Sequence, residues 1–131
     1  MFGFIVTTHN NNYEIIKKCL YLLFECIPLN LSYIILYVNE TTCPNVLNIK
    51  YYFLKKIPSL NFEVIYIDNQ SKNGGLTETW NQGIGYLLSI PFVNCKVITI
   101  LGHDTFVNKD IKYLLESALD AENNKDLKYF G

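Results

Sequence analysis

The chain has 131 residues, half of them hydrophobic and 15 % aromatic, which suffices for one compact domain with one sizeable core and is too little for two. Eleven basic and twelve acidic residues, spread along the chain, leave a net charge of −1, so the composition advertises no surface for DNA, RNA or anionic lipid, and nucleic acid is not an expected partner. Cysteines 19, 26, 43 and 95 form neither a Cys-x-x-Cys pair nor a Cys/His cluster; this excludes a zinc pattern and a dense disulfide framework, and they read as reduced, buried thiols of a cytoplasmic protein.

Phe2 to Thr8 is a short β-rich apolar run, the expected first strand. No basic region precedes it, and the apolar stretch from Tyr21 to Tyr37 is interrupted by Glu25, Pro28 and Asn30, so neither a signal peptide nor a membrane span is expected. Asn11 with Glu14 makes a capping-box-like start; Ile15, Ile16, Cys19, Leu20, Leu22, Leu23 and Cys26 then recur at helical spacing until Pro28, a helix of about four turns. Tyr33 to Val38 is a second strand, apolar on both faces. Pro44 suits the first turn of a helix running through Lys56. Phe62 to Ile67 is a third strand and Leu76 to Ser89 a helix; Lys96 to Leu101 is the fourth strand, and Asn108 caps a last helix over Lys109 to Ala121.

Strand and helix alternate four times with short connections, which predicts an α/β, Rossmann-like, mostly parallel sheet with helices on both faces, a single domain over residues 1–131. The final Leu127 to Gly131 reads like the start of another strand. An unpaired edge strand in so short a sheet allows self-association into a homo-oligomer.

The chemistry gathers where strands end. An apolar strand, Val97 to Leu101, delivers Gly102-His103-Asp104-Thr105 to the carboxyl edge of the sheet, where open α/β folds bind ligands, and Asp104 is the first acid there. About twenty residues upstream lies Asn69-Gln70-Ser71-Lys72-Asn73-Gly74-Gly75, a loop whose glycines turn the strand into a helix and let a sugar or diphosphate approach the backbone amides. Lys72 is placed to meet a phosphate, and Asp68 ends the third strand as a second acid, with turn capping as its alternative role. Asn81 and Gly83 are poor helix formers inside a helix, so packing or ligand contact must explain them; Trp80 beside them is core or pocket wall.

Four segments in this order resemble the N-terminal half of inverting glycosyltransferases of the GT-A fold, family 2: Ile5-Val6-Thr7-Thr8-His9-Asn10, Val38-Asn39-Glu40-Thr41, Asn73-Gly74-Gly75 with Asn81-Gln82-Gly83, and Gly102-His103-Asp104. The resemblance implies transfer of a sugar from a UDP- or dTDP-sugar donor to a glycan, lipid or protein acceptor, assisted by Mn²⁺ or Mg²⁺. It assigns Thr8, His9, Asn10, Asn39, Asp68, Lys72, Asn73, Gly75, Asn81 and His103 to nucleotide and sugar binding and Asp104 to the metal. The chain departs from the family twice, with Asn39-Glu40 where two acids are usual and Gly102-His103-Asp104 in place of Asp-x-Asp. The Asn39 amide carries both a donor and an acceptor, as pairing with a uracil or thymine edge requires. Mg²⁺ often binds through one or two carboxylates plus phosphates and waters, and an imidazole such as His103 is acceptable to Mn²⁺. No acid downstream reads as a general base: Asp110, Glu116, Asp120, Glu122 and Asp126 fall mostly on a solvated helix face. That gap favours the alternative of a non-catalytic or incomplete nucleotide-sugar-binding module. A dinucleotide-binding oxidoreductase is excluded by Thr7-Thr8-His9-Asn10-Asn11-Asn12 where Gly-x-Gly-x-x-Gly would stand.

Overall fold

A computed structural model of the chain describes residues 1–8, 13–39, 48–67, 75–90 and 93–124. The elements follow the alternation read from the sequence: β1 (Phe2–Thr8), α1 (Tyr13–Cys26), β2 (Ser32–Asn39), α2 (Ile49–Lys56), β3 (Phe62–Ile67), α3 (Gly75–Ser89), β4 (Val97–Gly102) and α4 (Ile111–Asn124). The four strands form one parallel sheet in the order β3-β2-β1-β4.

Side-chain alternation along each strand divides the core into two layers. Phe4 and Val6 of β1, Ile34, Leu36 and Val38 of β2, and Phe62 of β3 pack with Ile16, Leu20 and Leu23 of α1, Ile49 and Phe53 of α2, and Ile111 and Leu115 of α4. Ile5, Ile35 and Tyr37 face the other way, where Leu87 and Ile84 of α3 cover them. Both faces of β1 and β2 are therefore dry, which is why these strands read as unbroken apolar runs. Phe24 meets Phe53 and Phe62 edge-on, with ring centroids 4.9 and 5.4 Å away, tying α1 and α2 to β3.

The strand order explains the layering. From β1 to β2 to β3 the chain steps in one direction; β4 then returns to the far side of β1. Right-handed crossovers demand that the connection reversing direction lie on the opposite face, and α3 is the helix found there.

Strands β2 and β4 and the start of α3 lie within one residue of the expected bounds, and the bounds of α2 and α4 need comment. The expected start of α2 at Pro44 lies outside the described residues; the helix is seen from Ile49. The last helix begins at Ile111 rather than Lys109, because Asn108 builds a separate turn first: its side-chain oxygen accepts from the Asp110 amide (2.8 Å) and its carbonyl from the Ile111 amide (3.2 Å). It runs on to Asn124, since no glycine or proline stops it after Ala121. Cys19 is buried and Cys26 and Cys95 half-buried, all three as free thiols, while Cys43 lies outside the described residues. Among the described residues no helix is long and apolar enough to cross a membrane.

Candidate functional site

Parallel strands end at one common edge, and register fixes which ends are neighbours. Thr8 pairs with Val38, so Asn39, the last residue of β2, stands one step beyond it; Thr7 pairs with Gly102 on its other side. The sequential order of strands reverses between β1 and β4, and open α/β sheets bind ligands at the carboxyl ends of strands beside such a switch point. The segment Gly102-His103-Asp104-Thr105 leaves β4 at that place.

This segment is a tight turn anchored on two sides. The Thr105 amide donates to the Gly102 carbonyl at 3.1 Å, closing the turn, and the His103 amide donates to the Thr7 carbonyl at 3.0 Å, continuing the ladder to β1. From below, the Cys19 thiol of α1 lies 3.3 Å from the Thr105 carbonyl oxygen and 3.7 Å from that of Gly102. Burial, and secondarily the negative charge of Asp104, push this thiol up to about 11, so near neutrality it is a proton donor to the turn and not a thiolate.

Gly102 has a local reason to lack a side chain. A Cβ built there would stand 3.1 Å from Asp104 Oδ1 and 3.7 Å from Thr105 Oγ1. The carboxylate of Asp104 folds back over the place that a first acid of an Asp-x-Asp motif would use. One acid thus occupies space that two would contest.

The candidate residues divide accordingly. Thr8, His103 and Asp104 are brought together by the pairing of β1 with β4; Thr8 is buried, His103 half-buried and Asp104 exposed. Asn39 ends β2 beside Thr8. Gly75 opens α3, and Asn81 lies further along it with its side chain exposed. His9, Asn10, Asp68, Lys72 and Asn73 lie outside the described residues. Gly83 is explained by packing: a Cβ there would meet three side-chain atoms of Ile5, the nearest at 2.8 Å. Trp80, half-buried on α3, keeps its indole N–H buried without a hydrogen-bond partner among the described residues. Sequence reasoning missed Cys19 as a support of the turn; it sits 83 and 86 residues from the carbonyls it touches, a separation that leaves no local signal.

Among the described residues no three His, Cys, Asp or Glu side chains converge as a metal cage. The donors at the turn are the exposed Asp104 carboxylate and the neighbouring His103 imidazole. That set fits a cation bringing most of its ligands with it as phosphate oxygens and waters.

Fold and edge together define a doubly wound α/β domain with a topological switch point between β1 and β4. Three solved structures of S. aureus TarS share this fold at 18 % identity. TarS 1-349 superposes with a TM-score of 0.68 over 95 % of this chain, its complex with UDP-GlcNAc with 0.67, and its complex with UDP with 0.67. The chain spans only about a third of those proteins, 33 % and 32 % of their lengths. No protein-family model and no curated protein matches the sequence.

Proposed function

We propose that this chain is the donor-binding part of a cytoplasmic glycosyltransferase that takes a UDP- or dTDP-sugar and passes the sugar, with inversion, to a glycan, lipid or protein acceptor. The observation that carries this reading is the Gly102–Thr105 turn at the switch point, with Asp104 and His103 beside the end of β1. A fold shared with TarS, whose structures hold UDP-GlcNAc and UDP at 18 % identity, supports it, as does the resemblance to GT-A family 2.

In this reading Asn39 pairs with the base edge, and Thr8, His9, Asn10 and Asp68 line the nucleoside. Lys72, Asn73 and Gly75 meet the diphosphate and sugar near the start of α3, with Asn81 further along it. Asp104, with His103, would hold Mn²⁺ or Mg²⁺. A divalent cation bound there supplies charge neutralisation for the departing diphosphate. The acceptor hydroxyl attacks the anomeric carbon as the diphosphate oxygen leaves, and its proton needs a base. Asp110, Glu116, Asp120 and Glu122 are all exposed, with no cleft of the described chain gathering them. That exposure favours a second reading, a nucleotide-sugar-binding module that lacks its own base and self-associates through the edge strand β4.

Calorimetric titration of UDP, UDP-GlcNAc and dTDP, with Mn²⁺ or with chelator, tests the donor site on wild type and Asp104→Ala. The expected result is metal-dependent binding that the substitution abolishes. Absence of nucleotide binding under every condition refutes both readings, and binding without sugar transfer to any acceptor class leaves the second.

A further inference from the structure

Lysines spread evenly along the sequence are not spread evenly in space. Helix α2 carries Lys50, Lys55 and Lys56 and no acid, and it lies beside the face of α1 that bears Lys17 and Lys18. Lys50 is spoken for by Glu63 at 3.2 Å. Lys17, Lys18 and Lys56 make no ion pair with a carboxylate among the described residues. They rest on aromatic rings instead: Lys17 Nζ stands 4.2 Å from the Tyr52 ring centroid, Lys56 Nζ 4.5 Å from the same centroid, and Lys18 Nζ 4.8 Å from that of Phe106. Lys56 also donates to Tyr52 Oη at 2.7 Å. Beside these rings is an open groove of about 240 Å³ lined by Glu14, Lys17, Lys18, Tyr21 and Tyr52; Lys56 is not in its wall and reaches it only through its hydrogen bond to the Tyr52 hydroxyl.

Two ammonium groups, 4.2 and 4.5 Å from one ring centroid, concentrate positive charge at Tyr52. An anion beside that ring gains from both charges. Its donors are already oriented: Tyr52 Oη accepts from Lys56, which leaves its own O–H to point at a ligand, and the hydrogen bond from Lys56 together with the Lys17 charge draws that phenol below its usual range. The groove lies below the roughly 300–1,000 Å³ of drug-sized sites, so it admits one charged group with a few attached atoms and not a nucleotide. The chain contains no arginine, hence no planar fork for a carboxylate; point-like ammonium donors suit a tetrahedral oxyanion. Glu14, on the same face of α1, opposes the anion and weakens the site.

We propose that the groove between α1 and α2 binds a phosphate group, as a monoester or diester, through Lys17, Lys18, Lys56 and the Tyr52 hydroxyl. This site shares no residue with the donor edge and does not rest on the nucleotide reading.

The test is a titration of the full chain with inorganic phosphate, followed by the ¹⁵N amide shifts of α1 and α2, on wild type, Lys17→Gln/Lys56→Gln, Tyr52→Phe and Glu14→Gln. Circular dichroism checks folding throughout. Saturable shifts are expected in wild type, weakening with added salt. The double substitution lowers affinity by at least about tenfold, the equivalent of one charge-assisted hydrogen bond. Tyr52→Phe lowers it less, and Glu14→Gln raises it. Metal-dependent UDP binding is the same in all four proteins, and Asp104→Ala leaves phosphate binding unchanged, so the two sites fail separately. Co-sedimentation with phosphatidylglycerol vesicles, but not with phosphatidylcholine vesicles, that the double substitution abolishes identifies a lipid headgroup as the source. Phosphate binding without vesicle binding identifies a soluble ester. No saturable shift in wild type, or equal affinity in a folded Lys17→Gln/Lys56→Gln protein, overturns the proposal.

Discussion

Gly83 and Gly85 lie in the same helix, two residues apart, and alanine at each has an opposite expected outcome. At Gly85, exposed, a Cβ meets nothing within 4 Å, so Gly85→Ala gains only the helix propensity of alanine, about 0.5–1 kcal/mol. At Gly83 the same gain is opposed by Ile5, whose Cδ1, Cγ1 and Cγ2 would stand 2.8, 3.2 and 3.2 Å from the new carbon. Ile5 cannot step aside: it is fully buried on the central strand, and its branched Cβ holds one rotamer strongly. Overpacking of this kind costs about 1–3 kcal/mol, which leaves Gly83→Ala destabilised by roughly 0–2 kcal/mol and separates the two variants by about 1–3 kcal/mol. Urea denaturation followed by circular dichroism reads the difference as a shift in midpoint at constant slope. Ile5→Val removes the atom at 2.8 Å. On its own it costs about 0.5–1.5 kcal/mol, but combined with Gly83→Ala it should give a protein more stable than the two single effects added together. Because α3 begins at the carboxyl edge, lifting it off β1 should also weaken UDP binding. Equal stabilisation by both alanines would refute the claim that a missing side chain at 83 sets the seat of α3.

Gly102→Ala forces the Asp104 carboxylate away from its place 3.1 Å from the new Cβ; metal-dependent UDP affinity should drop several-fold by calorimetry, with the melting temperature little changed. The Cys19 thiol is pushed from 9.0 to about 11, so between these pH values the unfolded chain loses a proton that the folded chain keeps. Stability from this group is intact below pH 9 and falls as pH rises, by about 3 kcal/mol in total at 1.36 kcal/mol per unit. Cys19→Ala should flatten that decline in urea titrations from pH 8 to pH 11. Burial pushes Tyr33 and Tyr37 upward too, so Tyr33→Phe in the same background separates their loss, which begins nearer pH 10.

The order and type of every described strand and α-helix were legible in the linear sequence, because each depends on a local period: apolar runs for strands dry on both faces, three-to-four spacing for helices, Asn108 for the turn into α4. The placement of Asp104 at a sheet edge was legible for the same reason, since the apolar run before it could end only at an edge. The order of the strands was not, and it decides which ends are neighbours. Sheet order β3-β2-β1-β4 puts the switch point between β1 and β4, which sets the His103 amide on Thr7 and brings the turn that carries Asp104 to the end of β1. Three further facts belong to tertiary structure alone: the Cys19 thiol beneath the turn, Ile5 beneath Gly83, and Lys17 of α1 on the ring of Tyr52 of α2. Each joins residues far apart in the chain, and such contacts form only when separate elements pack, because they depend on crossover direction and strand register and not on local spacing.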